Sequence, residues 1–215
     1  MRTNSTAPAG AASTFTQIKR RDQLVACAID AIVEVGFARA SVAEVARRAG
    51  VSKGVVTYHF AAKDELIRAV IADVLASMSE YLEPRLLAAD PVQHPERFIA
   101  PYITGWIGCY RALSHQLLAL VGIYNNFRDE SGLPSPEFDA RARDIEIVTH
   151  VLEHGQADGG LGSFDPRVIA TVMKAALDDL LTQYAANPDM DLEAYGAHLV
   201  ALFERATQPA TDIKE

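Results

Sequence analysis

Apolar side chains recur every three or four residues along most of the 215-residue chain, which is the spacing of a helix with one buried face. Between about residues 16 and 35, for example, Val25, Ala28 and Ile32 follow this spacing. Glycine or proline separates the later stretches, and no segment shows the strict alternation of a half-buried strand. The sequence therefore predicts an all-α fold of about nine helices, with the fourth ended by Pro84 and a boundary between two later helices at residues 113 and 114.

Several classes of protein are excluded by what the sequence lacks. The two cysteines, Cys27 and Cys109, have neither a redox nor a metal-binding spacing. No run of 18 or more apolar residues occurs, and the first residues lack the continuous apolar core of a secretory signal. Nucleotide-binding glycine motifs and hydrolase nucleophile motifs are also missing. We therefore expect a cytoplasmic protein with no membrane partner, no cofactor and no catalytic site.

The formal net charge of −8 conceals a basic N-terminal part. Residues 1–70 hold ten Lys or Arg and six Asp or Glu, a net charge of +4, whereas the remaining residues hold ten basic and 22 acidic side chains, a net charge of −12. A polyanion such as nucleic acid would attract the first part and repel the second. Within the basic part, the cluster at residues 19–21 could bind phosphate or could be a solvated group of charges, and the sequence leaves both open.

Residues 41–60, SVAEVARRAGVSKGVVTYHF, predict two short helices joined by a tight turn. Ser41 and Glu44 have the spacing of a capping box at the start of the first helix. Gly50 supplies the turn, Ser52 can cap the second helix, and Val56 faces inward from it. This is the pattern of a helix-turn-helix, whose second helix fits the major groove of B-DNA.

In this arrangement the second helix exposes a rim of polar residues, formed by Ser52, Lys53, Thr57 and Tyr58. Gly54 lies near the start of the helix, where the absence of a side chain lets the backbone come close to DNA. The competing interpretation is a helical hairpin with a purely structural role. The basic composition of the surrounding sequence favours DNA binding.

The run GVSKG, the aromatic-His-Phe segment that follows it, and Lys-Asp-Glu-Leu at residues 63–66 resemble the DNA-binding domain of the TetR family. The resemblance covers roughly residues 16–70 and is weak beyond them. It implies a DNA-binding transcriptional regulator, with repression as the family's usual effect. By position it implies a phosphate contact for Ser41, base contacts for Ser52, Lys53, Gly54 and Val55, and contacts to the DNA backbone for His59 and Lys63.

Two residues depart from the family pattern. Thr57 stands where the family often has tyrosine, so the adjacent Tyr58 could take over the phosphate contact or could point elsewhere. Ala62 replaces a frequent capping serine, which would leave the start of the fourth helix less well held.

The resemblance also implies a domain division and a dimer. We expect a disordered tail at 1–15, a helix-turn-helix domain at 16–62, a helical ligand-binding and dimerisation domain at 63–207, and a C-terminal tail at 208–215. Because one helix-turn-helix gives limited affinity, two copies would read the half-sites of a palindromic operator in double-stranded DNA. The interface of this homodimer would come from apolar stripes on the last two helices, which could instead only cover their own core: Met173, Leu177, Leu180, Leu181, Tyr184, Tyr195, Leu199, Leu202 and Phe203.

The helices between about residues 95 and 155 would enclose a small-molecule effector in this family. Ligand pockets are mostly apolar with a few polar groups, so an aromatic or lipophilic effector fits the side chains present. Binding would lower DNA affinity if the effector prefers a state with altered spacing of the recognition helices. The candidate ligand-binding residues, each of which could equally be plain core, are Tyr102, Trp106, Tyr110, Tyr124, Phe127 and His150.

Two other functions remain open from the sequence. His150, Glu153 and His154 have the H-x-x-E-H spacing of some zinc hydrolases. A third ligand and a peptidase context are not evident, so we expect no metal site. The second alternative is a helical adaptor that binds protein partners and not DNA.

Overall fold

The computed structural model describes residues 9–128 and 140–209, with side chains from residue 16 in the first range and from residue 141 in the second. Within these ranges the chain forms eight α-helices and one short 3-10 helix and contains no strand, which confirms the all-α prediction. The elements are α1 (Ala9–Val35), α2 (Val42–Ala49), α3 (Lys53–His59), α4 (Lys63–Ala88), the 3-10 helix (Pro95–Arg97), α5 (Ile99–Asn126), α6 (Ala140–Ala157), α7 (Pro166–Ala186) and α8 (Leu192–Thr207).

Helix α5 contains the boundary that the sequence predicts between two separate helices at residues 113 and 114. Leu113 departs from helical geometry, with φ −124° and ψ 21°. The helix is therefore kinked at this residue. The eight observed helices correspond to the nine predicted ones, with two of them joined at the kink.

Two other helix boundaries differ from the prediction. Helix α1 begins at Ala9, so residues 9–15 of the expected disordered tail are helical, because their alanines favour extension of an existing helix. Helix α4 continues past Pro84, which the sequence predicts as its end. Proline at this position removes one backbone donor but does not end the helix. The rest of the expected tails, 1–8 and 210–215, lies outside the described residues.

The chain divides into two compact units. The first contains the chain up to Val74 together with Ala119–Phe127, and the second contains Leu75–Leu118 together with the chain from Arg128 onward. This division differs from the predicted boundary after residue 62. Helices α4 and α5 each contribute one segment to each unit.

The core of the first unit explains why the start of α4 belongs to it. Leu66 and Val70 of α4 are fully buried, as is Leu24 of α1. The end of α5 is held in the same unit, since the ring of Phe127 makes an edge-on contact with Phe37 at a centroid distance of 6.4 Å.

The second unit has a core formed by α5, α6 and α7. Met173 and Leu177 of α7 and Leu152 of α6 are fully buried there. Glycine allows the end of α4 to approach α5, because a side chain at position 108 would collide with the hydroxyl of Tyr81. None of the described helices has the length and apolar character needed to cross a bilayer.

Candidate DNA-binding surface and buried polar cluster

The turn between α2 and α3 forms as the sequence predicts. The Ser41 hydroxyl accepts a hydrogen bond from the Glu44 backbone N–H at 3.2 Å, which caps α2. Gly50 ends α2 in the left-handed conformation, with φ 65° and ψ 32°, a region that glycine enters without a steric penalty. The next N–H, from Val51, donates to the Ala46 carbonyl at 3.0 Å. These bonds fix the direction in which α3 leaves the turn.

The inner face of this hairpin is closed by apolar side chains. Val56 of α3 and Phe60, which follows α3, are both fully buried, and Val45 of α2 is 1% exposed. The guanidinium of Arg21 lies 4.3 Å above the ring centroid of Phe60 and donates to the His59 carbonyl at 3.2 Å. Arg21, which the sequence leaves open as a phosphate ligand, therefore holds the end of α3 in place.

The outer face of α3 is exposed to solvent, and we call it the recognition rim: Ser52, Lys53, Gly54, Thr57 and Tyr58. Tyr58 is the most prominent member, with 72% of its surface exposed. Its hydroxyl accepts a hydrogen bond from the Gln17 side chain at 3.3 Å. The sequence offers no signal for this bond, which joins residues 41 positions apart. The recognition rim is therefore exposed to solvent and is not covered by the rest of the described chain.

Individual members of the rim differ in what they can offer to DNA. The Ser52 side chain makes no capping hydrogen bond at the start of α3, so the predicted cap is not formed. The Thr57 hydroxyl turns back onto the helix, within 3.2 Å of the Lys53 carbonyl and 3.1 Å of the Gly54 carbonyl. Val55, predicted beside the rim, is half-buried.

Lys63 lies at the start of α4 but its ammonium is already engaged. It donates to the Phe37 carbonyl at 2.9 Å and lies 4.5 Å above the Phe37 ring. Partial burial lowers the pKa of Lys63. Ala62 has no side-chain acceptor to cap α4, but the Glu65 carboxylate accepts a hydrogen bond from the Ala61 N–H at 2.7 Å, which ties the preceding turn to the helix.

Charges on α2 are largely neutralised within the protein. The Glu44 carboxylate accepts hydrogen bonds from Arg47 at 2.7 and 2.8 Å and from Arg48 at 2.7 Å. These bonds lower the pKa of Glu44 to about 2. Arg48 also pairs with Glu34 at 2.8 Å. In contrast, Lys53 on the rim makes no ion pair with any residue in the described part of the chain.

The sequence that forms this hairpin matches a known DNA-binding domain. Over residues 24–70 the chain matches the sequence model described as bacterial regulatory proteins of the tetR family. Residues 24–70 form a DNA-binding domain of the TetR type. The chain is a DNA-binding transcriptional regulator similar to TetR-family proteins.

Comparisons with individual proteins extend this likeness. The HTH-type transcriptional regulator BetI 2 of Chromohalobacter salexigens is 29% identical over 195 residues, which cover 79% of this chain and 92% of that protein. BetI of Klebsiella pneumoniae is 41% identical over 69 residues, which cover 32% of this chain and 35% of that protein. A crystal structure of a putative TetR-family transcriptional regulator from Rhodococcus sp. superposes with a TM-score of 0.73 at 22% identity, over 87% of this chain and 98% of that one. That structure has the same fold.

In the second unit, three of the predicted ligand-binding residues lie together on α5. Tyr102, Trp106 and Tyr110 are 1%, 4% and 1% exposed, and they follow one another on successive turns. The ring centroids of Tyr102 and Trp106 are 6.5 Å apart, and those of Trp106 and Tyr110 are 5.6 Å apart. Together they form an aromatic row inside the second unit.

Charged side chains from α6 and α7 meet this aromatic row, a grouping that the sequence analysis did not identify. The Tyr102 hydroxyl donates to the Asp144 carboxylate at 2.6 Å. The Lys174 ammonium lies 4.3 Å above the Trp106 ring and pairs with Asp178. Burial raises the pKa of Asp144, although nearby Lys174 opposes this effect. We call this group the buried polar cluster: Tyr102, Trp106, Tyr110, Asp144, Lys174 and Asp178.

The other three predicted ligand-binding residues are not part of this cluster. Tyr124 and Phe127 belong to the first unit, where Phe127 packs against Phe37. His150 is 68% exposed on the polar face of α6, where its ring nitrogens lie 3.7 Å from a Glu146 oxygen and 3.1 Å from a Glu153 oxygen. His150 therefore lies on the exposed surface of α6 and not beside the aromatic row.

The H-x-x-E-H residues do not converge on a metal site. The Nε2 atom of His154 lies 2.9 Å from the Val92 carbonyl oxygen, away from the pair formed by His150 and Glu153. Across residues 16–128 and 141–209, no three His, Cys, Asp or Glu side chains are grouped so that they could hold a metal ion.

Most residues of the predicted dimer interface are buried within one protomer. They are Met173, Leu177, Leu180, Leu181, Leu199 and Phe203. Tyr184 and Tyr195 are half-buried, and Leu202 is 58% exposed. The other large apolar side chains exposed on these helices are Val168 and Val172, at 55% and 51%. Residues buried in the protomer have little surface left to give to a partner, so they fit the alternative of core packing.

Proposed function

We propose that this regulator is a repressor that a small apolar or aromatic molecule releases from a palindromic operator. The observation that carries the DNA half of the proposal is the exposed recognition rim on a helix whose opposite face is fully buried. The observation that supports the effector half is the aromatic row of α5 with its charged partners. We assign DNA binding to the first unit, and ligand binding and dimerisation to the second.

Within the proposed DNA interface, residues at the start of α3 contact base edges and residues around it contact phosphate. Lys53 is exposed and has no internal ion pair among the described residues, so it is the strongest candidate for a phosphate or guanine contact. Lys63 keeps donor capacity beyond its bond to Phe37, because an ammonium has three N–H groups. The full proposed set is Ser41, Ser52, Lys53, Gly54, Val55, Thr57, Tyr58, His59 and Lys63.

The test of DNA binding is a mobility-shift titration with the DNA upstream of the protein's own coding sequence, at several salt concentrations. A phosphate-binding regulator gives a linear decrease of log affinity with log salt. If the protein binds neither this upstream DNA nor unrelated double-stranded DNA at low salt, the helical-adaptor alternative replaces the proposal. If DNA binding is found but every small molecule that binds the protein leaves it unchanged, the effector half fails.

We also propose that two copies associate through exposed apolar residues of α7 and α8. Val168, Val172 and Leu202 support this, because large apolar side chains on one surface lose contact with water when a partner covers them. Val172→Glu should convert the dimer to a monomer in sedimentation velocity experiments. Val92→Glu is the matched control, since Val92 is also an exposed valine but lies outside α7 and α8. Dimers of unchanged stability in the Val172 variant would refute this interface.

A further inference from the structure

We propose that the buried polar cluster binds the hydrogen-bond-accepting end of the effector, a carboxylate or an uncharged oxygen carried on an aromatic or apolar body. This inference rests on the ligand-responsive function proposed above and narrows its effector to one chemical class. It follows from three features of the cluster. Two of its donors have no acceptor, its lysine can change partners, and its carboxylates already accept hydrogen bonds from the protein.

The first feature is a pair of unused donors in the aromatic row. Tyr110 is 1% exposed, and its hydroxyl makes no hydrogen bond within the described part of the chain. The indole N–H of Trp106 lies near the Tyr102 hydroxyl but outside hydrogen-bonding geometry. Buried polar groups are nearly always paired, and an unpaired one costs stability. An acceptor atom that enters between these side chains would remove that cost.

The second feature is the position of Lys174. Its side chain is 7% exposed, and its ammonium is bonded to Asp178 and placed over the Trp106 ring. Asp178 has a second cationic partner, because Arg141 donates to its other carboxylate oxygen at 2.9 Å. Lys174 can therefore turn towards a bound anion without leaving Asp178 unpaired.

The third feature decides the sign of the ligand's charge. The Asp144 carboxylate accepts the Tyr102 hydroxyl, and the Asp178 carboxylate is shared by Lys174 and Arg141. Each carboxylate already accepts from the protein, whereas the two unpaired buried groups of the aromatic row, the Trp106 N–H and the Tyr110 hydroxyl, are donors. An ammonium group would lie beside the Lys174 ammonium and be repelled by it, while an acceptor adds bonds to the cluster as it stands.

The chain carries a natural probe for this site, because Trp106 is its one tryptophan. We would titrate the full-length protein with phenyl and cyclohexyl compounds that differ only in the end group: the acetates, the ethanols and the ethylamines. The acetates or ethanols should change Trp106 fluorescence saturably, at concentrations at least about tenfold below those of the amines, as expected for bonds to charged donors. A preference for acetate over ethanol assigns the acceptor as a carboxylate, and equal binding assigns it as an uncharged oxygen. Tighter binding of the amines, or no response to any acetate or ethanol, would overturn the proposal.

Two variants distinguish binding at the buried polar cluster from binding elsewhere on the protein. Lys174→Met keeps the length and apolar stem of the side chain and should weaken binding of the acetates by about tenfold or more. Arg111→Met is the control, because Arg111 is an exposed cation on α5 that pairs with Glu193. Unchanged acetate affinity in Lys174→Met would refute a role for this ammonium.

Tyr110→Phe provides a test that does not depend on the choice of ligand. Removal of an unpaired buried hydroxyl should leave the melting temperature of the free protein unchanged or raise it, and should weaken binding of the responding compound. A lower melting temperature would mean that the hydroxyl already has a structural partner, and the proposal would fail.

Failure of this inference is distinguishable from failure of the proposed function. If the acetates bind and Lys174→Met abolishes the response while operator affinity is unaffected, the site stands and the release mechanism fails. If operator DNA is released by a compound whose effect survives both Lys174→Met and Tyr110→Phe, the regulator stands and this site is refuted.

Discussion

Gly54→Ala should stabilise the fold and weaken DNA binding at the same time. Gly54 is the second residue of α3 and is exposed. Within the described ranges, an added Cβ there would meet only the Ser52 hydroxyl oxygen, at an ordinary 3.6 Å. Alanine is favoured over glycine by about 1 kcal/mol in a helix interior. At this early position we expect about half of that, which corresponds to a rise of about 1–2 °C in melting temperature for a chain of this length.

The same methyl group should interfere with DNA. It would project from the recognition rim between Ser52 and Lys53 on one side and Thr57 on the other, where the helix backbone has to come close to the bases. We expect operator affinity to fall by about tenfold, equivalent to about 1.4 kcal/mol. Fluorescence anisotropy with labelled operator DNA and thermal unfolding of the same samples measure both effects. Because the variant is expected to be more stable, weaker binding could not be ascribed to unfolding.

Gly50→Ala is the matched control for the stability effect. Gly50 has φ 65° and nothing within 4 Å of an added Cβ, so the cost of alanine there is the backbone penalty alone. That penalty is about 1 kcal/mol, with the opposite sign to the effect at Gly54. The reasoning is refuted if Gly54→Ala lowers the melting temperature, or if it binds operator DNA as tightly as the unmodified protein.

Three further perturbations follow from the structure. Lys53→Gln should make the slope of log operator affinity against log salt concentration shallower by about one for each protomer. Loss of affinity with an unchanged slope would exclude a phosphate contact. Because the pKa of Glu44 is lowered to about 2 from 4.5, its stabilising effect is complete above pH 4.5 and is lost as the pH falls towards 2. Glu44→Gln should abolish that part of the acid sensitivity, and equal acid sensitivity of the two proteins in thermal unfolding would contradict the pairing. Burial raises the pKa of Asp144 above 3.8, so its ionised form destabilises the fold. This destabilisation is absent below pH 3.8 and develops as the pH rises through the raised pKa. Asp144→Asn should flatten the pH dependence of the melting temperature in that range, and an unaltered profile would argue against burial of this charge.

The parts of the DNA-binding surface that the sequence predicts correctly are those fixed by neighbouring residues. Ser41 caps the helix that begins beside it, and Gly50 makes the turn that its own backbone freedom permits. The contacts of Arg21 and Lys63 join residues that are far apart in the sequence, at His59 and Phe37. Periodicity and capping patterns report on one helix at a time, and they contain no information about such partners.

The apolar stripes on the last two helices show a second property that the sequence pattern does not predict. Leu177 and Val172 both belong to the apolar pattern of α7, yet Leu177 is fully buried and Val172 is half exposed. A helix with apolar residues around much of its surface does not reveal which side meets its own core. Lys174 shows the reverse problem, because a charged residue between these apolar positions is buried through its pairing with Asp178.

The kink at Leu113 has a consequence for how this protein could diverge. In a straight helix, inserting or deleting one residue rotates all that follows by about 100° and would move Phe127 away from Phe37. At Leu113 the backbone has already left the helical conformation, so a change of length there can be absorbed locally. An insertion or deletion at the kink would therefore leave the contact between Phe127 and Phe37 in place.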